Sequence, residues 1–498
     1  MPGLLRAPWL DEASTLRTVT AATWRTWASA VLMEPSPPAF QSLLALWATV
    51  SHARGWLRLL PLASGVATAV VGVRWGAQVS RRASWSVGLL LASSPFLLRH
   101  ALELRAYALL TLASVVAWCA AWDLATERDD IRRRRARLTL TAAVAAACAT
   151  HFTAVLLLPA VVALLLRAAP TLRDGWRRAP LFAFVGIAMM WAVLVVVFRG
   201  AVGAVHGDWW MPALDAGVAG RSLAEVVGLT TVGHGPSAWS LVVGLGLVGM
   251  LCAVTIWAPR SRIWLAPCGA ALVYAGGLAV VSWVWQPVWW PRTLLPAWAA
   301  CVSALGLAAA SIAHPIGRRI VTSATALVVV GWCATWAAAR PSEGIEPWPQ
   351  VAGLLAADPA PRAVLAYPDF VAWPLQYGQA LAPGAVVSGL RSDGRGTADV
   401  LASLGQRSGR TYLVLRIDPG VAGHREEMIR TFDALAVALG PDGPLTALIV
   451  MSPDVSLMPE LATWQRGVTG LLVPRFGDAV ASRVGDHLTV ARFDRGAR

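Results

Sequence analysis

Four groups of ionisable residues lie between strongly apolar stretches, where a charge near the centre of a membrane helix costs on the order of 2.5 to 3.5 kcal/mol and therefore needs a reason. They are the adjacent carboxylates Asp11 and Glu12 in PWLDEAST, the cluster Arg99, His100, Glu103, Arg105 and Tyr107 in SPFLLRHALELRAYALL, His151 in ATHFTA, and Arg292 in WWPRTLLP. A fifth stretch, VHGDWWMP, adds His206, Asp208, Trp209 and Trp210. Carboxylates of this kind can take a proton from a hydroxyl or hold a cation. A guanidinium offers a fixed fork to anionic oxygens, and an indole face stacks on a ligand or anchors at a lipid interface. Structural alternatives stand beside each group. Asp11 and Glu12 also read as a solvated pair, Glu103 with Arg105 as an ion pair at a helix end, His151 as a helix cap, and Arg99 with His100 as interfacial anchors.

The elements that must position these residues are membrane helices. The chain has 498 residues, 56% of them hydrophobic and 14% charged, with a mean hydropathy of +0.57. That is too apolar for a water-soluble fold of this length. The net charge of +14 is carried by arginine, since the sequence contains no lysine, and the arginines cluster between apolar runs. Such clustering signals topology and argues against nucleic-acid binding, which needs a basic stripe with aromatics on a polar surface. The six cysteines all fall in apolar runs and form neither a disulfide framework nor a CxxC site.

Apolar runs near 57–78, 84–98, 103–123, 180–199, 239–258, 263–285, 293–312 and 320–339 are mostly about 20 residues long, enough to cross the hydrocarbon as helices. A longer run, 138–168, has arginines at both ends and reads as two short helices with a turn at Thr150 and His151. With ten spans, the arginine-rich loops around residues 81, 132, 177, 260 and 318 all fall on the cytoplasmic side. Residues 1–56 then form an external loop of amphipathic interfacial helices. Residues 57–340 form the multi-span domain, and 341–498 a soluble extracytoplasmic α/β domain. In that last region, β-type runs at 363–368, 385–390, 411–417, 445–450 and 487–493 flank a helical stretch at 424–440. No Walker motif, GxGxxG, HExxH or GxSxG occurs there. The expected fold class is thus a polytopic α-helical membrane protein of about ten transmembrane helices with a small C-terminal extracytoplasmic α/β domain.

Five elements in order carry a resemblance: WLDEAST, the PP and amphipathic segment that follow, SPF running into ExRxYxL, the TH(F/Y) turn, and the late aromatic-Pro-Arg-x-Leu-Leu-Pro. Over residues 9 to 340 their succession resembles bacterial GT-C glycosyltransferases of the mannosyltransferase and aminoarabinose-transferase type. The resemblance implies an integral protein of the bacterial plasma membrane. It would transfer a sugar from a polyprenyl-phosphate carrier to a hydroxyl of a glycan, lipid or protein acceptor on the outer face, with inversion. Asp11 matches the acidic residue that acts as general base. Arg292 and Arg105 would hold the donor phosphate, and Glu103 would orient the acceptor or Arg105. Glu12 would do the same or bind a divalent cation, although the absence of a further acidic cluster favours a metal-independent reaction. Tyr107, His151, His206, Asp208 and Trp209 would line the substrate site. Members of this group carry a membrane helix before the acidic loop, and Asp11 stands only ten residues from the start. The expectation is therefore an additional upstream helix. Rival readings are a lipid-linked glycan transporter or flippase, which would show repeated half-helices, a glycan polymerase or ligase using a diphosphate-linked donor, and a non-catalytic membrane scaffold.

Overall fold

Long apolar helices dominate the architecture. The computed structural model describes residues 4, 6, 8–21, 23–32, 36–168, 211–230, 237–258, 262–285, 287–338, 346–358, 363–378, 387–390, 397–402, 410–417, 425–440, 444–451, 460–477, 480–484 and 488–493. The chain divides into two units: Met1–Leu4, Thr23–Gly207 and Ala213–Pro341 in one, and Leu5–Ala22, Asp208–Pro212 and Ser342–Arg498 in the other.

Among the described residues of the first unit, six helices are long and apolar enough to cross a membrane: Arg54–Ala77, Tyr107–Thr126, Ala238–Trp257, Ile263–Val284, Pro291–Ser311 and Pro315–Ala338. The protein is a multi-pass membrane protein. The expected span at 180–199 lies outside the described residues, as do His206, Asp208 and Trp209. Small residues let the helices approach closely. A Cβ added at Gly306 would come within 2.9 Å of the Val87 backbone nitrogen, and one at Gly246 within 2.7 Å of Val328 Cγ2.

Two departures from the expected spans matter for the site. The run at 84–98 is a helix, Arg81–Ser93, that stops at Ser94 because Pro95 opens a new short helix, Pro95–Ala101. The next helix begins only at Tyr107, so residues 102–106 form a turn. Glu103 and Arg105 sit in that turn, both buried. The 138–168 run divides where expected: a helix over Asp130–Thr150 ends at the extended His151, and a 3-10 turn, Phe152–Leu156, leads into Leu157–Ala168.

The second unit is built on a six-stranded sheet of order β2-β1-β3-β4-β6-β5, with β1 Ala363–Tyr367, β2 Val387–Gly389, β3 Thr411–Ile417, β4 Leu445–Met451, β5 Val480–Val484 and β6 Leu488–Phe493. β2, β1, β3 and β4 are parallel; β6 and β5 close the sheet in antiparallel register. The helix Arg425–Leu439 crosses from β3 to β4, as a parallel pair requires. Alternate residues feed two cores, so both faces of the sheet are covered. Val364, Ala366, Val414 and Leu448 pack with Trp348, Val351 and Leu355 of the helix Trp348–Ala356. On the other face, the Tyr367 ring meets Phe432 at 6.2 Å and Phe476 meets Phe493 at 5.9 Å.

The same unit includes the helix Leu10–Val19, which we call α1. Its partners there are Pro374–Gly378 and the Trp373 ring, over which the Arg17 guanidinium lies at 4.7 Å.

Candidate functional site

The first unit gathers ionisable side chains from four distant parts of the chain, around residues 100, 151, 225 and 292. Arg99 projects from Pro95–Ala101, the short helix that Pro95 starts, and its Nε donates to Glu103 Oε1 at 3.1 Å. Its Nη1 donates to Glu225 Oε1 at 3.0 Å. The other oxygen of Glu103 accepts from His100 Nδ1 at 2.8 Å. A carboxylate only accepts, so the Nδ1 proton is directed at it. Burial lowers the His100 pKa; Glu103 opposes this, while the Arg99 and Arg292 charges add to the lowering.

Glu225 reaches Arg99 because its helix, Ala216–Val226, is held at both ends. Asp215 Oδ1 accepts the Val218 amide at the start, and Gly228 takes a left-handed φ of 79° just past the end. The Trp332 indole then donates to the Val227 carbonyl at 2.9 Å.

Next to this network stands a second layer of rings and cations. The His100 ring meets Tyr107 edge-on at 5.2 Å, Tyr107 lies 5.7 Å from the His151 ring, and the Arg292 guanidinium lies 5.7 Å from the Tyr107 centroid. Arg292 is carried on the 3-10 turn Pro291–Leu294. That turn is tied down because Thr293 Oγ1 accepts the Trp290 amide and donates to the Val288 carbonyl, and Ser282 Oγ accepts the Val288 and Trp289 amides. His151 is fixed by Thr153, whose hydroxyl lies 2.9 Å from Nδ1 and accepts from the Tyr274 hydroxyl at 3.0 Å. Desolvation, followed by the positive charges of Arg292 and Arg105, pushes the His151 pKa down to about 3. Both guanidinium groups therefore raise the potential at one imidazole.

Asp11 and Glu12 belong to the other unit, on the first turn of α1. Although adjacent in sequence, the two carboxylates face different surroundings, because neighbours on a helix point about 100° apart. Glu12 is fully buried, with Oε1 3.1 Å from Arg6 Nη2 and Oε2 accepting the Trp9 amide. Asp11 is half-buried and shares the more open face with Ser14 and Arg17.

The structure thus brings Glu103, Tyr107, His151 and Arg292 into one network, with Arg105 acting on His151, and carries Asp11 and Glu12 on α1. Sequence reasoning missed Glu225, a single acid in the short segment SLAEVVGL with no motif around it; its only signal was a charge in an amphipathic helix. Among the described residues no three His, Cys, Asp or Glu side chains are grouped to hold a metal ion.

A bundle of membrane helices with a six-stranded C-terminal sheet defines a multi-pass membrane class of fold. The same fold occurs in ArnT from Cupriavidus metallidurans. The crystal structure of its apo state matches 99% of this chain and 94% of that one with a TM-score of 0.54 at 14% identity. The structure of ArnT bound to undecaprenyl phosphate matches 99% and 95% with a TM-score of 0.53 at 12% identity. No protein-family model and no curated protein sequence matches the chain.

Proposed function

We propose that the protein is a membrane glycosyltransferase that takes its sugar from a polyprenyl-phosphate carrier and passes it to an acceptor hydroxyl at the outer face of the bacterial plasma membrane. The observation that carries this reading is the Arg292 guanidinium 5.7 Å from the Tyr107 ring, itself 5.7 Å from His151, in a partly buried cluster of charge to which Arg105 adds. Two guanidinium groups suit a phosphate whose negative charge grows as its ester bond breaks. The likeness in fold to ArnT, one structure of which holds undecaprenyl phosphate, supports the same ligand class.

In this reading, the acceptor oxygen attacks the anomeric carbon while the bond from that carbon to the phosphate oxygen breaks on the opposite side, inverting the centre. The electron pair leaves with the polyprenyl phosphate, whose charge Arg292 and Arg105 hold. Asp11 takes the acceptor proton as the new bond forms. Uncharged His151 adds no third positive charge and can serve as a hydrogen-bond partner. Glu103, fixed by Arg99 and His100, orients the acceptor or the neighbouring Arg105. Glu12, buried against Arg6, supports the turn that carries Asp11.

The test is transfer or slow hydrolysis of a radiolabelled polyprenyl-monophosphate mannose or pentose by the full chain in lipid nanodiscs, with binding of undecaprenyl phosphate measured in parallel. Asp11→Asn should lose turnover and keep lipid binding; Arg292→Ala should weaken lipid binding about tenfold or more. Lipid binding without turnover of any donor, unchanged by Asp11→Asn, would replace the enzyme with a lipid-handling protein.

A further inference from the structure

Glu346 lies in the segment PSEGIEPWPQ, with no catalytic motif near it, yet its carboxylate is fully buried and surrounded by donors. Oε2 accepts the backbone amide of Leu10, the first residue of α1, at 2.9 Å, and the Trp348 indole N–H at 2.6 Å. Oε1 accepts from Arg416 of β3 through Nε and Nη2, each at 2.9 Å. All four residues belong to the same unit. The first amides of a helix have no partner within it, so a carboxylate supplied from elsewhere both satisfies one and attracts the positive helix end. At the other end of α1, Arg17 lies over Trp373. The helix is therefore held at both ends by residues of the C-terminal half of the chain. Asp11 directly follows the residue whose amide Glu346 holds.

We infer that Glu346 is a positioning residue: the C-terminal sheet domain, through the Arg416–Glu346 pair and the Leu10 amide, sets where Asp11 stands, and is thus a part of the catalytic apparatus. This rests on the reading of Asp11 as the base. A carboxylate that must meet a hydroxyl within hydrogen-bond reach loses rate steeply with displacement, so an anchor one residue away controls turnover without touching substrate. Arg416 has a matching part. It compensates the buried charge of Glu346, which would otherwise be too costly to keep.

The experiment uses the full chain in nanodiscs and two variants. Glu346→Leu combined with Arg416→Met replaces the buried pair by apolar groups of similar size, which keeps a domain folded while removing the acceptor for Leu10. Glu346→Gln keeps one acceptor oxygen. Amide hydrogen exchange over 9–19 should rise about tenfold or more in the double variant and less in Glu346→Gln, while exchange over Arg425–Leu439 and Arg54–Ala77 stays at the wild-type rate. Turnover of a polyprenyl-monophosphate sugar should fall about tenfold or more in kcat in the double variant, with undecaprenyl phosphate binding unchanged and partial recovery in Glu346→Gln. Unchanged exchange over 9–19 overturns the proposal whatever the activity. Wild-type kcat in the double variant, beside an inactive Asp11→Asn, overturns the positioning role and leaves Asp11 as the base. Full turnover by Asp11→Asn overturns the base assignment, and the exchange data then judge the anchoring alone. Collapse of the double variant, seen as raised exchange over Arg425–Leu439 as well, moves the decision to Glu346→Gln, where a wild-type exchange rate and kcat together overturn the inference.

Discussion

Arg99 joins two carboxylates that lie 122 residues apart in the chain, donating from Nε to Glu103 and from Nη1 to Glu225 at 3.1 and 3.0 Å. Removing the arginine leaves two acids facing each other, whereas removing Glu225 leaves Arg99 still paired. Arg99→Met should therefore destabilise the protein more than Glu225→Leu, and the double variant should show a coupling of about 1 kcal/mol or more. Thermal unfolding of the four forms in the same detergent measures it. Strict additivity would mean that the bridge contributes nothing.

Opposite phenotypes are expected from neighbouring carboxylates. Glu12→Ala removes the buried ion pair to Arg6 and the bond to the Trp9 amide, and should cost about 2 kcal/mol or more. Asp11→Asn swaps a half-buried side chain for one of nearly the same shape and should cost less, about 1 kcal/mol or below. Melting curves and turnover of the two variants separate the roles. Equal loss of stability in both would contradict the contrast between a fully buried Glu12 and a half-buried Asp11.

The pH dependence of stability should carry the mark of His151. Its pKa falls from 6.5 in the unfolded chain to about 3 in the fold. Between these values the unfolded state binds a proton that the folded state does not, so stability declines as the pH drops from about 6.5 towards 3 and is flat above. His151→Asn removes this slope, and unfolding measured at pH 5 and at pH 7.5 should differ less than in the wild type. An unchanged difference would refute the burial of an uncharged imidazole.

Gly228 ends the helix that carries Glu225, at a φ of 79° where an added Cβ would lie 2.8 Å from the Trp332 indole nitrogen. Gly228→Ala should lower stability by about 1 to 2 kcal/mol through backbone strain and contact with Trp332. Gly228→Asn should cost less of the strain term, because asparagine tolerates this conformation. A melting series of the three residues checks the order.

Much of the architecture was legible because membrane helices and sheet strands each write a period into the chain. The apolar runs at 57–78, 239–258, 263–285 and 320–339 correspond to helices in the structure, the turn at His151 lies where two arginine-flanked halves meet, and the five β-type runs are five strands. β5, with the sequence VASRV, escaped notice because a five-residue strand holding serine and arginine lacks an apolar signature. The candidate residues were legible too: Asp11, Glu103, Arg105, His151 and Arg292 stand out as charges among apolar neighbours. Their partners were not. Glu225 and Glu346 acquire meaning only through Arg99 and the Leu10 amide, contacts that span 126 and 336 residues of chain. Likewise, only the folded α1 separates Glu12, turned inward to Arg6, from Asp11 on the open face. The sequence by itself determined which segments are apolar enough for the bilayer and which charges would need a reason there, since both follow from local transfer free energy. Which charge meets which was decided by tertiary structure alone, because a side-chain pair depends on distances that no local pattern encodes.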